Sequence, residues 1–305
     1  MDFAGVFAAL TTPYASDGSV SLAHLKHNIE KYNRTGLKGY VVLGSTGEAV
    51  LLSRAEMERI LAVAKESAAK EKLLIAGAGA ESTAETIERS KLAGAAGYHA
   101  VLVKTPSYYK PLYKPDVLIA HFRRVADASP VPVLLYSIPQ YTGIALEASE
   151  VAALAEHPNI IGIKDSSGHV QRIVEMVAAV PNSFQILVGS ASTMFPSLMV
   201  GARGAILALA SALPEKCVEL FDVVRGGDLA KAREMQRLMV PASKLIVSQS
   251  GTAGLKFAMD QLGYRGGLPR LPLQPLGEEQ KSAIREVLSE LSVCEPARLS
   301  GTVSV

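Results

Sequence analysis

The chain has 305 residues, of which 49% are hydrophobic and 20% are charged, and its 31 Lys and Arg residues against 29 Asp and Glu residues leave a formal net charge of +2. This apolar share is enough for a large core and excludes a disordered or fibrous protein, while the near balance of charge argues against nucleic acid as a partner. The two cysteines, Cys217 and Cys294, are too few for a disulfide framework or a cysteine-rich zinc site.

Eight short apolar segments are spaced along the chain. Each is bounded by glycine, proline or a polar turn, as is typical of strands buried on both faces of a parallel sheet. The predicted strands are residues 5–10, 39–44, 72–77, 99–104, 132–137, 160–165, 184–189 and 204–209.

Amphipathic segments separate these strands. Two of them, residues 53–70 and 82–97, begin with a Ser-x-x-Glu capping box, at Ser53 and at Ser82. A strand followed by a helix, repeated roughly every 20 to 30 residues, is the pattern of a (β/α)8 TIM barrel. An open doubly wound sheet is the alternative, but no G-x-G-x-x-G opens a helix after the first strand.

Helical patterns continue after the eighth strand, beyond what one barrel unit needs, and predict a C-terminal helical appendage. They cover residues 211–225, 228–247, 252–262 and 277–291. We therefore divide the chain into a barrel over residues 1–225, a helical region over 226–292 and a tail over 293–305. The tail has no periodicity and is predicted to be disordered.

Chemistry in a TIM barrel gathers where the strands end. The predicted strand ends carry no histidine, and their only carboxylates are Glu48 and Asp165. A metal site usually needs three or four converging His or carboxylate ligands. His24 and His27 lie in an early helical segment and are expected on the surface. The sequence therefore disfavours a metal site.

Two lysines, Lys104 and Lys164, end apolar strands. Burial favours the uncharged amine of a lysine, which attacks carbonyl carbon. From position alone, each is either a nucleophile or a salt-bridged lysine at a strand mouth. Tyr136 ends the strand before that of Lys164, so it is placed for an acid–base role, unless it is a core tyrosine with a bonded hydroxyl.

The segment Gly44–Glu48, GSTGE, follows the second strand. Its small residues expose backbone N–H groups to an anion, and Ser45 and Thr46 add hydroxyl donors. No lysine follows as in G-x-x-x-x-G-K-[ST], which excludes a nucleotide P-loop. We expect the anion to be a carboxylate.

Four motifs follow one another along the chain: GSTGEAVLLSRAE (44–56), TPSYYKP (105–111), YSIPQYTG (136–143) and GIKDSSG (162–168). In their residues, their order and their spacing they resemble the dihydrodipicolinate synthase/N-acetylneuraminate lyase family of pyruvate-dependent class I aldolases. The resemblance covers residues 5–292. It implies a (β/α)8 barrel in which Lys164 forms a Schiff base with the ketone of pyruvate, and it leaves Lys104 as a paired lysine.

The resemblance also implies a proton relay. Tyr136 is the proton-transfer residue beside the imine, and Ser45 links it to a tyrosine of the adjacent subunit. That tyrosine is Tyr108, with Tyr109 as the alternative. The implied assembly is a homotetramer built from two such dimers.

The remaining implied contacts concern the substrates. Ser45 and Thr46 hold the pyruvate carboxylate, and Ile206 lines the floor near the imine. The partners are small molecules, and neither a metal nor an organic cofactor is required. No run of about 18 apolar residues predicts a membrane span, and the opening MDFAGVFAALTTPY does not resemble a signal peptide. We therefore expect a cytoplasmic protein.

Departures from the family pattern bear on the second substrate. Dihydrodipicolinate synthases carry an arginine, for a second substrate's carboxylate, where this chain has Tyr141. Their lysine-feedback pocket uses His and Asn where this chain has Arg54, Met57 and Glu81. Both the synthase activity and its feedback control are therefore in doubt.

The strand-seven loop GSASTM (189–194) lacks the acidic residues with which N-acetylneuraminate lyases hold sugar hydroxyls. The motif set looks most like 4-hydroxy-2-oxoglutarate aldolase, in which the serine at the position of Ser190 helps bind the second carboxylate. The expected activity is cleavage of 4-hydroxy-2-oxoglutarate to pyruvate and glyoxylate. Dihydrodipicolinate synthase and deoxy-hexulosonate aldolase are the alternatives.

Overall fold

Eight parallel strands close into a barrel in the computed structural model, which describes residues 1–293. Each strand pairs with the next along the chain, and the last pairs with the first. The strands are Val6–Ala9 (β1), Gly39–Val42 (β2), Leu73–Gly77 (β3), Ala100–Lys104 (β4), Val133–Ser137 (β5), Ile160–Asp165 (β6), Gln185–Val188 (β7) and Gly204–Leu207 (β8). All eight lie inside their predicted ranges, so the predicted TIM barrel is confirmed.

Both faces of the strands are buried, which explains their continuous apolar sequences. Side chains on the outer face pack against the surrounding helices. Those on the inner face form a separate core inside the barrel that includes Phe7, Val41, Leu134, Leu187 and Ile206. This inner core fills the barrel and leaves room for a site only above the strand ends.

Helices follow the strands around the barrel. They are Leu22–Tyr32 (α1), Arg54–Ser67 (α2), Thr83–Ala95 (α3), Pro115–Ala128 (α4), Pro139–Thr142 (α5), Ala148–Ala155 (α6), Val170–Ala179 (α7), Met194–Met199 (α8) and Pro214–Arg225 (α9). The capping box at Ser53 is confirmed with both of its hydrogen bonds. The second box is only half right, because Ser82 caps the helix but the Glu85 carboxylate pairs with Arg89 instead.

Three further helices follow: Leu229–Ala242 (α10), Gly251–Gln261 (α11) and Glu278–Val293 (α12). The helical pattern predicted over 228–247 is confirmed, and its backbone changes from an α-helix to a π-helix over Ser243–Gln249. These helices pack on the turns after β7 and β8, where Gln236 of α10 bonds Phe195 N–H and Ala191 C=O. The predicted boundary at residue 225, between the barrel and the C-terminal helical region, stays a prediction.

Residues beyond Val293, which hold most of the predicted tail over 293–305, lie outside the described part of the chain. Cys294 is among them. None of the helices between residues 1 and 293 combines the length and the apolar character that a membrane crossing requires.

Candidate active site

A cavity of about 640 Å³ lies at the carboxyl ends of the strands. Its lining residues include Ser45, Thr46, Tyr136 and Lys164, which come from the ends of three different strands or from the loop that follows one of them. The barrel brings them together because parallel strands end at the same rim.

Lys164 reaches this cavity from the end of β6. In the sheet register it pairs with Tyr136 on β5 and with Leu187 on β7, so it stands at the height of both. The residue is only 5% exposed, and Nζ lies 4.3 Å from the centre of the Tyr136 ring. Within residues 1–293, Nζ forms no ion pair and no hydrogen bond. The amine is therefore buried beside a phenol and free to react with a substrate in the cavity.

The chain after Lys164 is held by Asp165, which is buried. Its carboxylate accepts hydrogen bonds from the N–H, at 3.0 Å, and from the hydroxyl of Ser167. The Arg172 guanidinium lies 3.8 Å from the other carboxylate oxygen. These contacts fix the turn over 165–167, and with it the end of the strand that carries Lys164.

The loop Gly44–Glu48 presents unpaired donors to the cavity. The N–H groups of Gly47 and Glu48 bond the carbonyls of Gly44 and Ser45, as in a tight turn. Within the described chain, the N–H groups of Ser45 and Thr46 have no acceptor, and both residues line the cavity. Two adjacent free donors are able to bind a small anion, and the predicted binding of a carboxylate by Ser45 and Thr46 stays a prediction.

Lys104 forms an ion pair with Glu81 at 3.0 Å. Burial works against ionisation of Glu81, but hydrogen bonds from the N–H groups of Ser107 and Tyr108, together with Lys104, lower the pKa of this carboxyl to about 2. The salt-bridged reading of Lys104 is therefore confirmed.

The two tyrosines after β4 do not reach the cavity of their own chain. Tyr108 is 78% exposed and Tyr109 is 60% exposed, and their rings pack edge to face with centres 4.9 Å apart. Within residues 1–293 no hydrogen bond joins Ser45 to Tyr136, so the predicted relay through Ser45 stays a prediction.

Two other predicted residues, Ser190 and Ile206, do not line the cavity. Ser190 bonds Ser192, hydroxyl to hydroxyl at 2.8 Å, and it is the adjacent Gly189 that lines the wall. Ile206 is fully buried inside the barrel, in the same core as Tyr136. The exposed Tyr141 lines the outer wall.

Sequence reasoning missed part of this wall. Gln140 lines it and donates a hydrogen bond from Nε2 to Ser166 C=O at 2.6 Å. Ser248, from the π-helix, and Thr252, from α11, line the cavity as well. Nothing in the local sequence pattern indicates Ser248 and Thr252, because the appendage that carries them is brought to the rim only by tertiary packing.

Histidines take no part in a cluster of metal ligands in the described chain. Across residues 1–293 no group of three or more His, Cys, Asp or Glu side chains is arranged to hold a metal ion. His24 is exposed as predicted, whereas His27 is partly buried, so its expected surface position is only partly right.

Comparison with known proteins agrees with this geometry. The model of the dihydrodipicolinate synthetase family matches residues 2–291. A 4-hydroxy-tetrahydrodipicolinate synthase from Methanothrix thermoacetophila is 34% identical over 95% of this chain and 97% of its own length. A probable mitochondrial 4-hydroxy-2-oxoglutarate aldolase from Emericella nidulans is 35% identical, with 94% of each chain covered.

Solved structures share the same fold. The crystal structure of dihydrodipicolinate synthase DapA-2 from Bacillus anthracis superimposes with a TM-score of 0.91 at 27% identity, covering 95% of this chain and 98% of that one. The 4-hydroxy-tetrahydrodipicolinate synthase from Methylacidiphilum fumariolicum gives a TM-score of 0.91 at 29% identity, covering 96% and 97%.

Proposed function

The chain belongs to the dihydrodipicolinate synthetase family of class I pyruvate-dependent lyases, and on this basis we propose that it cleaves 4-hydroxy-2-oxoglutarate to pyruvate and glyoxylate through a Schiff base on Lys164. The observation that carries the proposal is the unpaired amine of Lys164, which is buried beside Tyr136 in the same cavity that Ser45 and Thr46 line with free N–H donors. An amine nucleophile, an acid–base group and an anion cradle are the parts that imine chemistry on a 2-oxo acid needs.

The proposed reaction begins at the amine of Lys164. Nζ of Lys164 attacks C2 of the 2-oxo acid, and loss of water leaves an imine whose cationic nitrogen is an electron sink. Removal of the proton from the 4-hydroxyl breaks the C3–C4 bond, releases glyoxylate and leaves an enamine. Protonation of the enamine at C3 and hydrolysis of the imine release pyruvate and the free amine.

We assign the proton transfers to Tyr136, whose ring lies against the Lys164 amine. Ser45 and Thr46 hold the carboxylate next to C2 through their free N–H groups. Ile206, buried below, closes the floor. Tyr108 completes the relay from a neighbouring subunit.

The assignment of Tyr108 makes the working unit at least a dimer, within the proposed homotetramer. Supporting it is the exposure of three large apolar side chains within one short segment, Tyr108, Tyr109 and Leu112, of which the two tyrosine rings are in contact. Apolar side chains grouped in this way are typical of a surface that another protein covers.

The choice of second substrate rests on charge. Among the residues that the structure describes, Lys164 is the only lysine or arginine on the cavity wall. Tyr141 supplies no guanidinium to clamp a carboxylate bidentately. A compact aldehyde such as glyoxylate is the better fit, with Ser190 near the wall to bond its carboxylate. The similarity to the Emericella nidulans protein supports the same choice.

A second candidate function is 4-hydroxy-tetrahydrodipicolinate synthesis, the condensation of pyruvate with aspartate semialdehyde. It is favoured by the names of several relatives, among them the Methanothrix thermoacetophila, Acidiphilium cryptum and Neisseria gonorrhoeae proteins. In this chain the semialdehyde carboxylate would have to be held without an arginine on the cavity wall.

Trapping with borohydride tests the shared chemistry. Incubation with pyruvate and borohydride should add mass permanently to the peptide that contains Lys164. Lys164→Met should abolish the addition, and the matched variant Lys104→Met, which removes the other strand-end lysine, should retain it. Labelling at Lys104, or no labelling, contradicts the proposed nucleophile.

A comparison of two reactions on one preparation tests the substrate. A missing charge-assisted pair is worth about 1.5 to 3 kcal/mol, or about 10- to 150-fold. We therefore expect kcat/KM for cleavage of 4-hydroxy-2-oxoglutarate to exceed that for condensation with aspartate semialdehyde by at least about tenfold. Tyr141→Arg should reduce the ratio between these two kcat/KM values. If the semialdehyde is the better substrate of the unmodified enzyme, the second candidate is correct.

A further inference from the structure

A fully buried ion pair joins the substrate loop to the C-terminal helices. Nζ of Lys256, in α11, lies 2.6 Å from Oε1 of Glu48, and the two side chains are 0% and 1% exposed. Lys256 also donates to Leu268 C=O at 2.9 Å and lies 4.3 Å from the centre of the Tyr14 ring. No step of the proposed reaction uses either charge.

The pair is costly to bury, since both charges lose their hydration. Desolvation lowers the pKa of Lys256, and the adjacent Glu48 carboxylate acts in the opposite direction. Replacement of such a pair by apolar groups is often neutral or stabilising, so overall stability is a weak reason to keep it. Fixing one conformation is the better reason here, because of where Glu48 stands.

Glu48 ends the loop whose free N–H groups face the cavity. The loop is strained at both ends, because Leu43 and Glu48 have φ angles of 60° and 54°, in the left-handed region that side chains disfavour. A strained backbone keeps its shape only where surrounding contacts hold it.

The holding contacts come from outside the loop. The Thr12 hydroxyl donates to Gly47 C=O at 2.6 Å. Glu48 is held through both carboxylate oxygens, since Oε1 meets Lys256 and Oε2 accepts the N–H of Arg270 at 2.8 Å. The same helix that carries Lys256 also places Thr252 on the cavity wall.

We propose that Glu48 and Lys256 are positioning residues, whose buried ion pair holds the loop so that the N–H groups of Ser45 and Thr46 point at the carboxylate of the 2-oxo acid. This inference rests on the proposed function, because it takes pyruvate as the anion in the cradle. On this proposal the C-terminal helices contribute to substrate binding, because the helix that carries Lys256 sets the affinity of the loop for the carboxylate.

Three variants separate this role from a purely structural one. Lys256→Met and Glu48→Gln each leave one buried charge unpaired. The double variant Glu48→Gln/Lys256→Met leaves neither charge. The matched control is Lys72→Met, which removes another buried lysine at the opposite end of the barrel, where Nζ donates to Thr35 C=O and Leu37 C=O.

The measurements are the Tm, the pyruvate concentration that half-saturates borohydride trapping, and the trapping rate at saturation. The double variant should recover most of the Tm that the single variants lose. Its half-saturating pyruvate concentration should nevertheless stay raised by at least about tenfold, the size of one charge-assisted contact, with a smaller change in the saturated rate. Lys72→Met should lower Tm and leave half-saturation unchanged.

Two results overturn the inference. One is a double variant that recovers both Tm and pyruvate half-saturation. The other is a set of Glu48 and Lys256 variants that behave like Lys72→Met, with a lower Tm and an unchanged half-saturating pyruvate concentration. Either result leaves the proposed function standing, because the wild-type enzyme is still trapped at Lys164. Failure of the wild-type enzyme to be trapped is the separate result that refutes the proposed function, and the inference with it.

Discussion

Arg270→Met should destabilise the protein in a way that depends on pH. The Arg270 guanidinium binds both carboxylate oxygens of Glu56, at 2.6 and 2.9 Å, and donates to Gly18 C=O and Leu51 C=O. Methionine keeps a similar length of apolar side chain but removes all four contacts. The bridge ties the segment after α11 to the first turn of α2.

The magnitude follows from Glu56. Hydrogen bonds from Arg270, which have the largest effect, and from Ser53 lower the pKa of the carboxyl from 4.5 to about 2 against the opposing effect of burial, and the whole shift corresponds to about 3 kcal/mol before solvent screening. Since the two side chains are 19% and 22% exposed, we take about half of that, about 1.5 kcal/mol. The two carbonyl contacts add about 1 kcal/mol or somewhat more. The variant should therefore lose about 3 kcal/mol at neutral pH, or roughly 5 to 10 °C in Tm.

The pair contributes fully above the unfolded-state pKa of Glu56, about 4.5, and its contribution is lost as pH falls toward the folded-state value. The difference in stability between wild type and Arg270→Met should therefore shrink by about 1 kcal/mol between pH 5 and pH 3. Denaturation curves across this range measure it. Lys91→Met, which breaks an exposed pair with Glu88 on α3, is the control and should cost less than about 1 kcal/mol. A difference that is constant with pH, or no larger than that of the control, refutes the reasoning.

Three further outcomes are expected. Tyr136→Phe should lower kcat by about 10²- to 10⁴-fold while borohydride still traps pyruvate on the enzyme, and an unchanged kcat would remove Tyr136 from proton transfer. Tyr108→Phe should lower turnover without changing the subunit count in light scattering, whereas a fully active monomer would contradict a shared site. Gly77→Ala should reduce Tm severely, because its Cβ would stand 2.0 Å from the carbonyl oxygen of Leu43, while Gly277→Ala, whose Cβ would have no neighbour nearer than Gln280 Oε1 at 3.9 Å, should change Tm little.

The hydrophobic pattern of the sequence was enough to predict the order of the strands and helices. The eight apolar segments lie inside a closed barrel in which both strand faces are buried, and this double burial is why the segments are apolar throughout. Once the strands are parallel and closed, their carboxyl ends share one rim. The proximity of Lys164 and Tyr136 was therefore predictable from one βα unit of separation.

Pairing between distant side chains was decided by the tertiary structure alone. Position at a strand end did not separate Lys104 from Lys164. What separates them is that Glu81, from the loop after β3, neutralises Lys104, while no carboxylate of the described chain reaches Lys164. Glu48 and Lys256 are likewise far apart in sequence and in contact in the fold.

The physical reason is that hydrophobic periodicity indicates which face of a helix or strand is buried but does not indicate which other element that face packs against. A charge in an apolar helix, such as Lys256 in GLKFAM, indicates only that some buried partner is needed. The change to π-helical backbone at Ser243, and the residues that this segment adds to the cavity wall, depend on how the appendage packs against the turns after β7 and β8. The sequence by itself determined the barrel and narrowed the candidate nucleophile to two lysines at strand ends, and the packing of the C-terminal helices decided the shape of the cavity wall around Lys164.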